Sequence, residues 1–414
     1  MKIKLLLISA LLVVFGNCRA ESFSAIRFLV VSPGEDASTE VGVSWHCETS
    51  GSTLEIALAD DVDFAHAWTY APYETPWSLA QGDSLFQKQR LVCRVNLCGL
   101  VPDAEYNYRV RARGEVCAVG SFRTAPSREV ASAKSVKIIS LIDYQPAFND
   151  NTHPLIDRLL EIAPDACFAT CSGDFTDYGS KEAEWAWAMD SEIYSRMMFA
   201  STPGDHEYWG IKGPQDEHVP QMVEPFGFNA IFNNPSNGAP LARNSSWFFH
   251  YGNILFIGLD MSDSNTVECD KFESEARWFN EVIARERGTY DILIVQQHKS
   301  MYGSDETDSR VSKVLRPIWT EIFRSAGVDL VISGHDHKYS RTRLVDGTFY
   351  LDMGSSGRKY RKPEEALYTD GIHEKVMDFI PDKNCVGAVI EVLGPHLKVS
   401  VIDKSGSTLD SFEK

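Results

Sequence analysis

Five short segments of the chain carry side chains that bind metal ions. They are residues 143–145, 173–177 and 204–207, His298, and residues 334–337, and their candidate ligands are Asp143, Asp174, Asp205, His298, His335 and His337. Carboxylates and imidazoles are the donors that Mn, Fe, Zn and Mg take in proteins. Gathered together, so many of these groups would not stay unpaired without a cation. The composition of the segments therefore predicts a site for two metal ions.

An apolar run precedes each segment and is predicted to form a β-strand. These runs cover residues 136–142, 166–170, 197–201, 292–295 and 328–332. Repeated strand-then-loop units place their loops at the carboxyl edge of a sheet, where open α/β folds assemble their sites. We therefore expect the five segments to meet at one such edge.

The length of the chain and a change of pattern along it indicate two domains. A chain of 414 residues exceeds what one core usually supports. Residues 21–127 alternate short β-rich runs with turns, as a small antiparallel sandwich requires. Residues 126–133 are interpreted as a linker, and residues 134–414 are assigned to the domain that carries the candidate ligands.

Within residues 134–414 the pattern predicts three helices and additional strands. Helices are expected after a cap at Asn151-Thr152, near residues 181–193 and over residues 272–287. A hairpin is expected around Gly252-Asn253. The β-like segments 387–392, 397–402 and 405–409 should complete a sheet.

The N-terminus has the form of a secretory signal peptide. Lys2 and Lys4 precede the apolar residues 5–15, and small residues allow cleavage after Ala20, which makes residues 1–20 the signal. The alternative is lipidation at Cys18. The chain is therefore expected to be secreted or periplasmic, or else anchored by lipid at the cell surface, and no later segment is apolar enough to predict a transmembrane helix.

The net charge limits the classes of binding partner, and the number of cysteines bears on whether disulfides form. Cleavage would remove three positive charges and no acid, and would change the net charge from -18 to -21. Such an acidic surface repels nucleic acid, so no nucleic-acid binding is expected. Eight cysteines would remain, which is compatible with disulfides after export, but Cys167 and Cys171 lie roughly 13 Å apart on an extended strand, too far to join each other.

In their order, the five segments resemble the calcineurin-like metallophosphoesterase superfamily. Its pattern is D-x-H, GD-x-x-D, GNH-D/E, a lone His and GH-x-H, and residues 334–341, GHDHKYSR, resemble the GHxHxYxR of purple acid phosphatases. The runs VSW (43–45), YNYRV (106–110) and SFRTAP (121–126) resemble the fibronectin III-like N-terminal domain of that family. The resemblance implies an α/β sandwich of two mixed sheets flanked by helices, behind an all-β sandwich.

The resemblance also assigns roles to single residues. It implies that Asp143, Asp174 and His337 bind the first metal, and that Asp174, Asp205, His298 and His335 bind the second, with Asp174 shared. His206 matches a histidine that is not a ligand and that protonates the leaving oxygen. The implied reaction is hydrolysis of a phosphomonoester by a metal-bound hydroxide, on a small molecule or a protein.

Several positions depart from the family pattern. Gln145 stands where the superfamily has a histidine, Asp177 stands where purple acid phosphatases have a tyrosine ligand, and Asp205 replaces an asparagine. Gln145 and Asp177 are therefore either ligands or hydrogen-bonding neighbours of ligands. The more oxygen-rich donor set favours Mn or Mg over an iron-zinc pair, and one metal could be tight and the other labile.

Two other functions remain open at the level of sequence. The same site could serve a phosphodiesterase or nucleotidase. Alternatively, the changes at Gln145 and Asp205 could mark a non-catalytic cell-surface protein whose metal site is degenerate. Retention of His206 argues against the second alternative, because a purely structural site has no use for a proton donor.

Overall fold

A computed structural model of the chain describes residues 26–213, 218, 220–262, 268–303, 315–379 and 385–414. The predicted signal peptide and Cys18 lie outside the described residues. Among the described residues, no helix has the length and apolar character needed to cross a membrane.

The N-terminal part is all β. Its strands are β1 (Ile26–Pro33), β2 (Val41–Cys47), β3 (Thr53–Leu58), β4 (Trp68–Tyr70), β5 (Tyr73–Trp77), β6 (Arg90–Leu97), β7 (Glu105–Ala112) and β8 (Glu115–Arg123). They form two four-stranded antiparallel sheets with the orders β1-β2-β6-β5 and β4-β3-β7-β8. Alternate residues of β7, among them Tyr106, Tyr108 and Val110, are buried, as the period of two in a half-buried strand requires.

The remaining strands form two larger sheets. The six-stranded sheet has the order β11-β10-β9-β19-β20-β21, and the seven-stranded sheet has the order β12-β13-β14-β15-β17-β16-β18. The strands of the first are β9 (Val136–Leu141), β10 (Phe168–Cys171), β11 (Met198–Ser201), β19 (Val386–Leu393), β20 (His396–Asp403) and β21 (Thr408–Glu413). Those of the second are β12 (Trp247–Tyr251), β13 (Ile254–Leu259), β14 (Ile292–Lys299), β15 (Leu330–Gly334), β16 (Tyr339–Thr342), β17 (Phe349–Met353) and β18 (His373–Met377).

Side chains between the two large sheets hold them together. Phe168 of β10 packs on Phe249 and Phe256 of the opposite sheet, with ring centroids 5.4 and 5.7 Å apart. Gln296 of β14 donates to the Cys171 carbonyl oxygen at 2.7 Å and is hydrogen-bonded to Thr170. This buried amide links the strands whose ends carry the candidate ligands. The predicted α/β sandwich of two mixed sheets is confirmed.

Helices lie along the chain between these strands. They are α1 (Arg128–Ala131), α2 (Thr152–Ile162), α3 (Glu182–Ala188), α4 (Ile193–Arg196), α5 (Phe226–Ile231), α6 (Glu268–Glu286) and α7 (Arg316–Ala326), with 3-10 turns at His206–Tyr208 and Glu365–Tyr368. The apolar face of α2 buries Leu155, Ile156 and Leu159. Helix α7 is capped at its C-terminal end by Gly327, whose φ of 74° suits a residue without Cβ.

Four details differ from the sequence-based expectation. The ligand segments follow strands of two sheets rather than one. The segment expected as a linker contains α1, and the helix expected near residues 181–193 is divided into α3 and α4. The amide that caps α2 is that of Asn149, whose Oδ1 accepts from the backbone N–H groups of Asn151 and Thr152 at 2.9 and 3.0 Å.

All seven described cysteines are free thiols, and they include Cys167 and Cys171.

Candidate metal centre

The candidate ligands meet where the carboxyl ends of the two large sheets come together. Asp143, Asp174 and Asp205 follow β9, β10 and β11, which are parallel neighbours in the six-stranded sheet. His298 lies near the end of β14, and His335 and His337 follow β15, its parallel neighbour in the other sheet. Each sheet thus contributes three of the six predicted ligands.

The backbone at four of these positions is in the left-handed region. The φ angles are 44° at Asp143, 56° at Asp174, 76° at His335 and 55° at His337. Residues with a Cβ adopt this conformation at a cost of order 1–3 kcal/mol each, and such residues cluster at functional sites. Hydrogen bonds hold the strained loops against one another. The Asp143 N–H donates to the Gly173 carbonyl oxygen and the His335 N–H to Asp143 Oδ2, both at 3.1 Å.

Glycines allow the ligand loops to touch. A Cβ on Gly204 would lie 2.0 Å from Asp174 Oδ1, and a Cβ on Gly334 would lie 2.1 Å from Asp143 Oδ2. Neither distance is possible for real atoms. Each glycine is therefore required by the close approach of a candidate ligand, which follows the neighbouring strand β10 in the case of Gly204 and lies on the opposite sheet in the case of Gly334.

One donor group contains Asp205, His298 and His335, whose ligand atoms lie within 4.8 Å of one another. His298 Nε2 is 3.1 Å and His335 Nδ1 is 3.0 Å from Asp205 Oδ1. The other ring nitrogen of His298 lies 2.9 Å from the Ser172 carbonyl oxygen. Because that oxygen can only accept, it fixes the proton on Nδ1 and leaves Nε2 for a metal.

A second donor group contains Asp143, Asp174 and His298. His298 Nε2 is 3.3 Å from Asp174 Oδ1, so this imidazole faces both groups. His337 belongs to neither group of three, but its Nε2 lies 3.4 Å from Asp143 Oδ1. Asp143 Oδ1 is buried and accepts no hydrogen bond within the described part of the chain. A buried carboxylate oxygen that accepts no hydrogen bond and faces an imidazole fits a metal ligand, because burial of its charge without compensation would be costly.

The charges in this cluster compensate one another. Burial opposes ionisation of Asp174, but His298 and His206 outweigh it and lower its pKa to about 2. Burial likewise opposes a charge on His298, yet Asp174, Asp205 and Asp143 raise the pKa of that imidazole well above its usual value. The neighbouring carboxylates thus favour a proton on His298. A metal ion would take the place of that proton.

Glu207 organises two of the ligand loops. Its carboxylate accepts hydrogen bonds from the backbone N–H groups of Asp174, Phe175 and Gly204 at 2.8, 3.0 and 2.7 Å. The side chain is fully buried. Sequence reasoning did not single out Glu207, although its place directly after Asp205-His206 was a usable signal.

His206 lies beside the donor groups without belonging to either. Its Nε2 is 3.9 Å from Asp174 Oδ2, and its Nδ1 lies 2.8 Å from the Asp177 carbonyl oxygen. The Trp209 ring packs against the imidazole with centroids 3.7 Å apart. The carbonyl keeps a proton on Nδ1, so Nε2 is the nitrogen that can gain and release a proton toward the centre.

Gln145 and Asp177 both make hydrogen bonds around the centre. Gln145 Nε2 donates to Asp174 Oδ2, and Gln145 Oε1 accepts from Lys359 at 3.1 Å. Asp177 Oδ2 accepts from the Ala147 N–H at 2.7 Å. The ring of Tyr178 packs on Trp209, with centroids 6.3 Å apart. Lys359 was not anticipated from the sequence.

Comparison with known proteins identifies the family of the domain that carries this site. Residues 149–339 match the calcineurin-like phosphoesterase family. The chain contains a calcineurin-like metallophosphoesterase domain. The matched range includes five of the six candidate ligands, and Asp143 lies just before it.

Relatives of the metallophosphoesterase domain are distant in sequence. An uncharacterized protein of Mycobacterium tuberculosis is 22% identical over 360 residues, which cover 77% of this chain and 62% of that protein. Purple acid phosphatase 15 of Arabidopsis thaliana is 23% identical over 301 residues, which cover 65% of this chain and 54% of the plant protein. The chain thus spans about three-fifths or less of the length of these relatives.

Solved structures share the fold over almost the whole chain. The purple acid phosphatase PPD1 of yellow lupin superposes with a TM-score of 0.72 at 14% identity, over 94% of this chain and 74% of that one. A structure of PhoD superposes with a TM-score of 0.64 at 15% identity, over 96% of this chain and 94% of that one. The dimetal phosphoesterase fold is therefore established for this chain, while the identity of the metals stays a prediction.

Two residues of the GHDHKYSR motif stabilise the strand that follows the ligand loop of the metallophosphoesterase domain. Tyr339 Oη and Arg341 Nε both lie 2.8 Å from Asp410 Oδ2, on β21 of the opposite sheet. Tyr339 and Arg341 are buried. Their hydrogen bonds fix β16, which directly follows the loop carrying His335 and His337.

Proposed function

We propose that the protein is an exported, metal-dependent phosphatase that hydrolyses phosphomonoesters. The observation that carries the proposal is the position of His206, an imidazole outside both donor groups whose Nε2 faces the Asp174 carboxylate at 3.9 Å. A site that only held metal for stability would not need such a group. An enzyme that must protonate a departing oxygen would need one.

The two metal positions would be held by residues of both sheets. Asp143, Asp174 and His337 would hold one ion. Asp174, Asp205, His298 and His335 would hold the other, with Asp174 shared. Two such ions, when bound, supply an activated water at neutral pH and neutralise charge on a phosphoryl group.

His206 would supply the proton that the leaving alkoxide needs. The proton would leave from Nε2, while Nδ1 keeps its own proton because the Asp177 carbonyl oxygen can only accept. The Trp209 ring on one side restricts rotation of the imidazole. His206 would thus deliver its proton from a fixed direction, next to the carboxylate shared by both ions.

Export is proposed from residues 1–20. Determination of the N-terminal residue of the processed protein tests this point. A chain that begins at Glu21 is the expected result, whereas a chain processed to begin at a lipidated Cys18 would place the enzyme at the cell surface.

The hydrolytic function is tested with chelator-stripped protein and a generic aryl phosphate. Turnover should return when Mn, Mg, Zn or Fe is added singly, and it should exceed turnover of the corresponding diester. Asp174→Asn should abolish it. Asp165→Asn, at an exposed aspartate with a side-chain accessibility of 63%, is the matched control and should leave turnover unchanged. No turnover with any ion, in folded protein, would contradict the proposal.

A further inference from the structure

Lys359 brings a positive charge to the metal position whose sequence motif has lost an imidazole. Its Nζ donates to Gln145 Oε1 at 3.1 Å, and Gln145 Nε2 donates to Asp174 Oδ2. One amide therefore joins the ammonium group to the carboxylate proposed to be shared by both ions. A histidine at position 145 would offer a nitrogen ligand, whereas this glutamine holds a cation.

The backbone around Lys359 is fixed to the first metal position from both sides. The Gly357 N–H donates to the Asp143 carbonyl oxygen at 3.1 Å, and the Arg361 N–H donates to the His337 carbonyl oxygen at 2.9 Å. A Cβ on Gly357 would lie 2.5 Å from the Tyr144 carbonyl oxygen, so the segment packs directly on the ligand loop. Lys359 is half-buried, and the backbone on either side of it is held against the loops of Asp143 and His337.

The charge of Lys359 lies beside this position. Its ammonium group is one amide away from Asp174, and the segment that carries it is hydrogen-bonded to the backbone of Asp143 and His337. A cation there repels a metal ion held by these ligands. At the other position, the hydrogen-bonding neighbours of Asp205 Oδ1 are the imidazoles of His298 and His335, which are themselves donors for a metal.

We propose that Lys359, held by Gln145, acts as a fixed cation that weakens metal binding at the Asp143–His337 position. The two ions are then bound with unequal affinity, tightly at Asp205, His298 and His335 and weakly at Asp143 and His337. The inference rests on the proposed metal centre but not on hydrolysis. Lys359 acts on the metal position through its charge and does not itself bind the metal.

The test is titration of the chelator-stripped, full-length protein with Mn²⁺, followed by calorimetry or equilibrium dialysis. The wild type should bind two ions in separate steps. Lys359→Met should tighten the weaker step by about tenfold or more, because a unit positive charge is removed from beside the metal position. Lys359→Arg keeps the charge and should keep the two steps separate. Lys362→Met removes a charge from an exposed residue of the same segment and should change neither step.

The outcomes separate this inference from the proposed function. Two steps of equal affinity in the wild type, or no change in Lys359→Met, would overturn the role of Lys359 and leave the phosphatase intact. Absence of any bound Mn²⁺ in folded wild-type protein would overturn both. Lys359→Gln is the second variant if the methionine substitution fails to fold.

Discussion

The assignment of His206 depends on which groups surround each of its ring nitrogens. Nδ1 faces a backbone carbonyl oxygen and Nε2 faces Asp174, so the residue has one fixed proton and one exchangeable position. His298 shows the same division, but its Nε2 lies between two carboxylates, where a cation would bind. Two imidazoles at the same sheet edges are thus suited to different tasks, proton transfer for His206 and metal binding for His298.

Replacement of His206 by asparagine should separate catalysis from metal binding. Turnover of an aryl phosphate should fall by roughly 10²–10⁴-fold, the usual contribution of a positioned general acid. The bound metal count, measured by elemental analysis, should stay at the wild-type level. His396→Asn alters an exposed histidine of β20 and serves as the control. Unchanged turnover in His206→Asn with metal still bound would show that the acid role is wrong.

At the scale of elements, close contact between loops of parallel strands builds the centre. The loops after β10 and β11 are held by the carboxylate of Glu207, and Gly204 lets the second loop approach Asp174. Backbone N–H groups of the segment 355–361 donate hydrogen bonds to the loops that follow β9 and β15 and hold those loops in place. The positions of the ligands are therefore determined by backbone contacts as much as by the strands that carry them.

Gly204→Ala should disturb the centre without touching a ligand. The new Cβ would overlap Asp174 Oδ1 at 2.0 Å, so the carboxylate must move away from its place between the two positions. Metal affinity should fall by about 10–100-fold, as for other changes that misplace a ligand. In Gly210→Ala the nearest atom lies 3.2 Å away, and this variant should keep the wild-type affinity in the same titration. Equal affinity in both variants would contradict the account of the glycine.

The elements show how much could be predicted from the sequence. The strands before Asp143, Asp174, Asp205 and His335 could be predicted because continuous apolar runs end at polar loops. The partition between two sheets could not be predicted from these runs, because it depends on pairing between strands far apart in the chain. Lys359 was also beyond local reasoning, since its contact with Gln145 joins residues 214 positions apart.

At the scale of the whole molecule, the N-terminal β region is joined to the metallophosphoesterase domain by buried polar contacts. Glu182, at the start of α3, accepts from Arg27 at 2.8 Å and from Arg90 at 2.9 Å. His46 of β2 lies 2.9 Å from the Ala230 carbonyl oxygen of α5. Residues 21–127 and 134–414 were predicted as separate domains, and that boundary stays a prediction.

Removal of the Glu182 carboxylate should strongly destabilise the protein. Arg90 has an accessibility of 8% and would be left without its buried partner. Breaking a buried ion pair from one side costs about 3–5 kcal/mol. We expect Glu182→Ala to lower the free energy of unfolding in urea by that amount. Glu105→Ala removes the exposed partner of Arg123 and should cost less than about 1 kcal/mol. A similar loss in both variants would contradict the prediction.

The burial of His46 should make stability fall in acid. Burial lowers the pKa of His46 from 6.5 to about 3, although its contact with Ala230 opposes the shift. Above pH 6.5 the imidazole is neutral in both states. Between pH 6.5 and 3 only the unfolded chain takes up the proton, so stability is lost as the pH falls, by about 2 kcal/mol at pH 5.

The measurement compares unfolding free energies at pH 7 and pH 5 in the wild type and two variants. His46→Gln cannot titrate and should lose about 2 kcal/mol less on acidification. His396→Gln changes an exposed histidine and should follow the wild type. An equal loss in the wild type and His46→Gln would show that His46 does not carry the pH dependence.

The most direct test of the central claim is anomalous X-ray diffraction from crystals of the protein loaded with Mn²⁺ or Zn²⁺. The account predicts two peaks that share Asp174 as a ligand. One peak should be bounded by Asp143 and His337, and the other by Asp205, His298 and His335. A single peak bound by other residues, or no ordered metal in the presence of excess ion, would contradict the dinuclear centre and the function built on it.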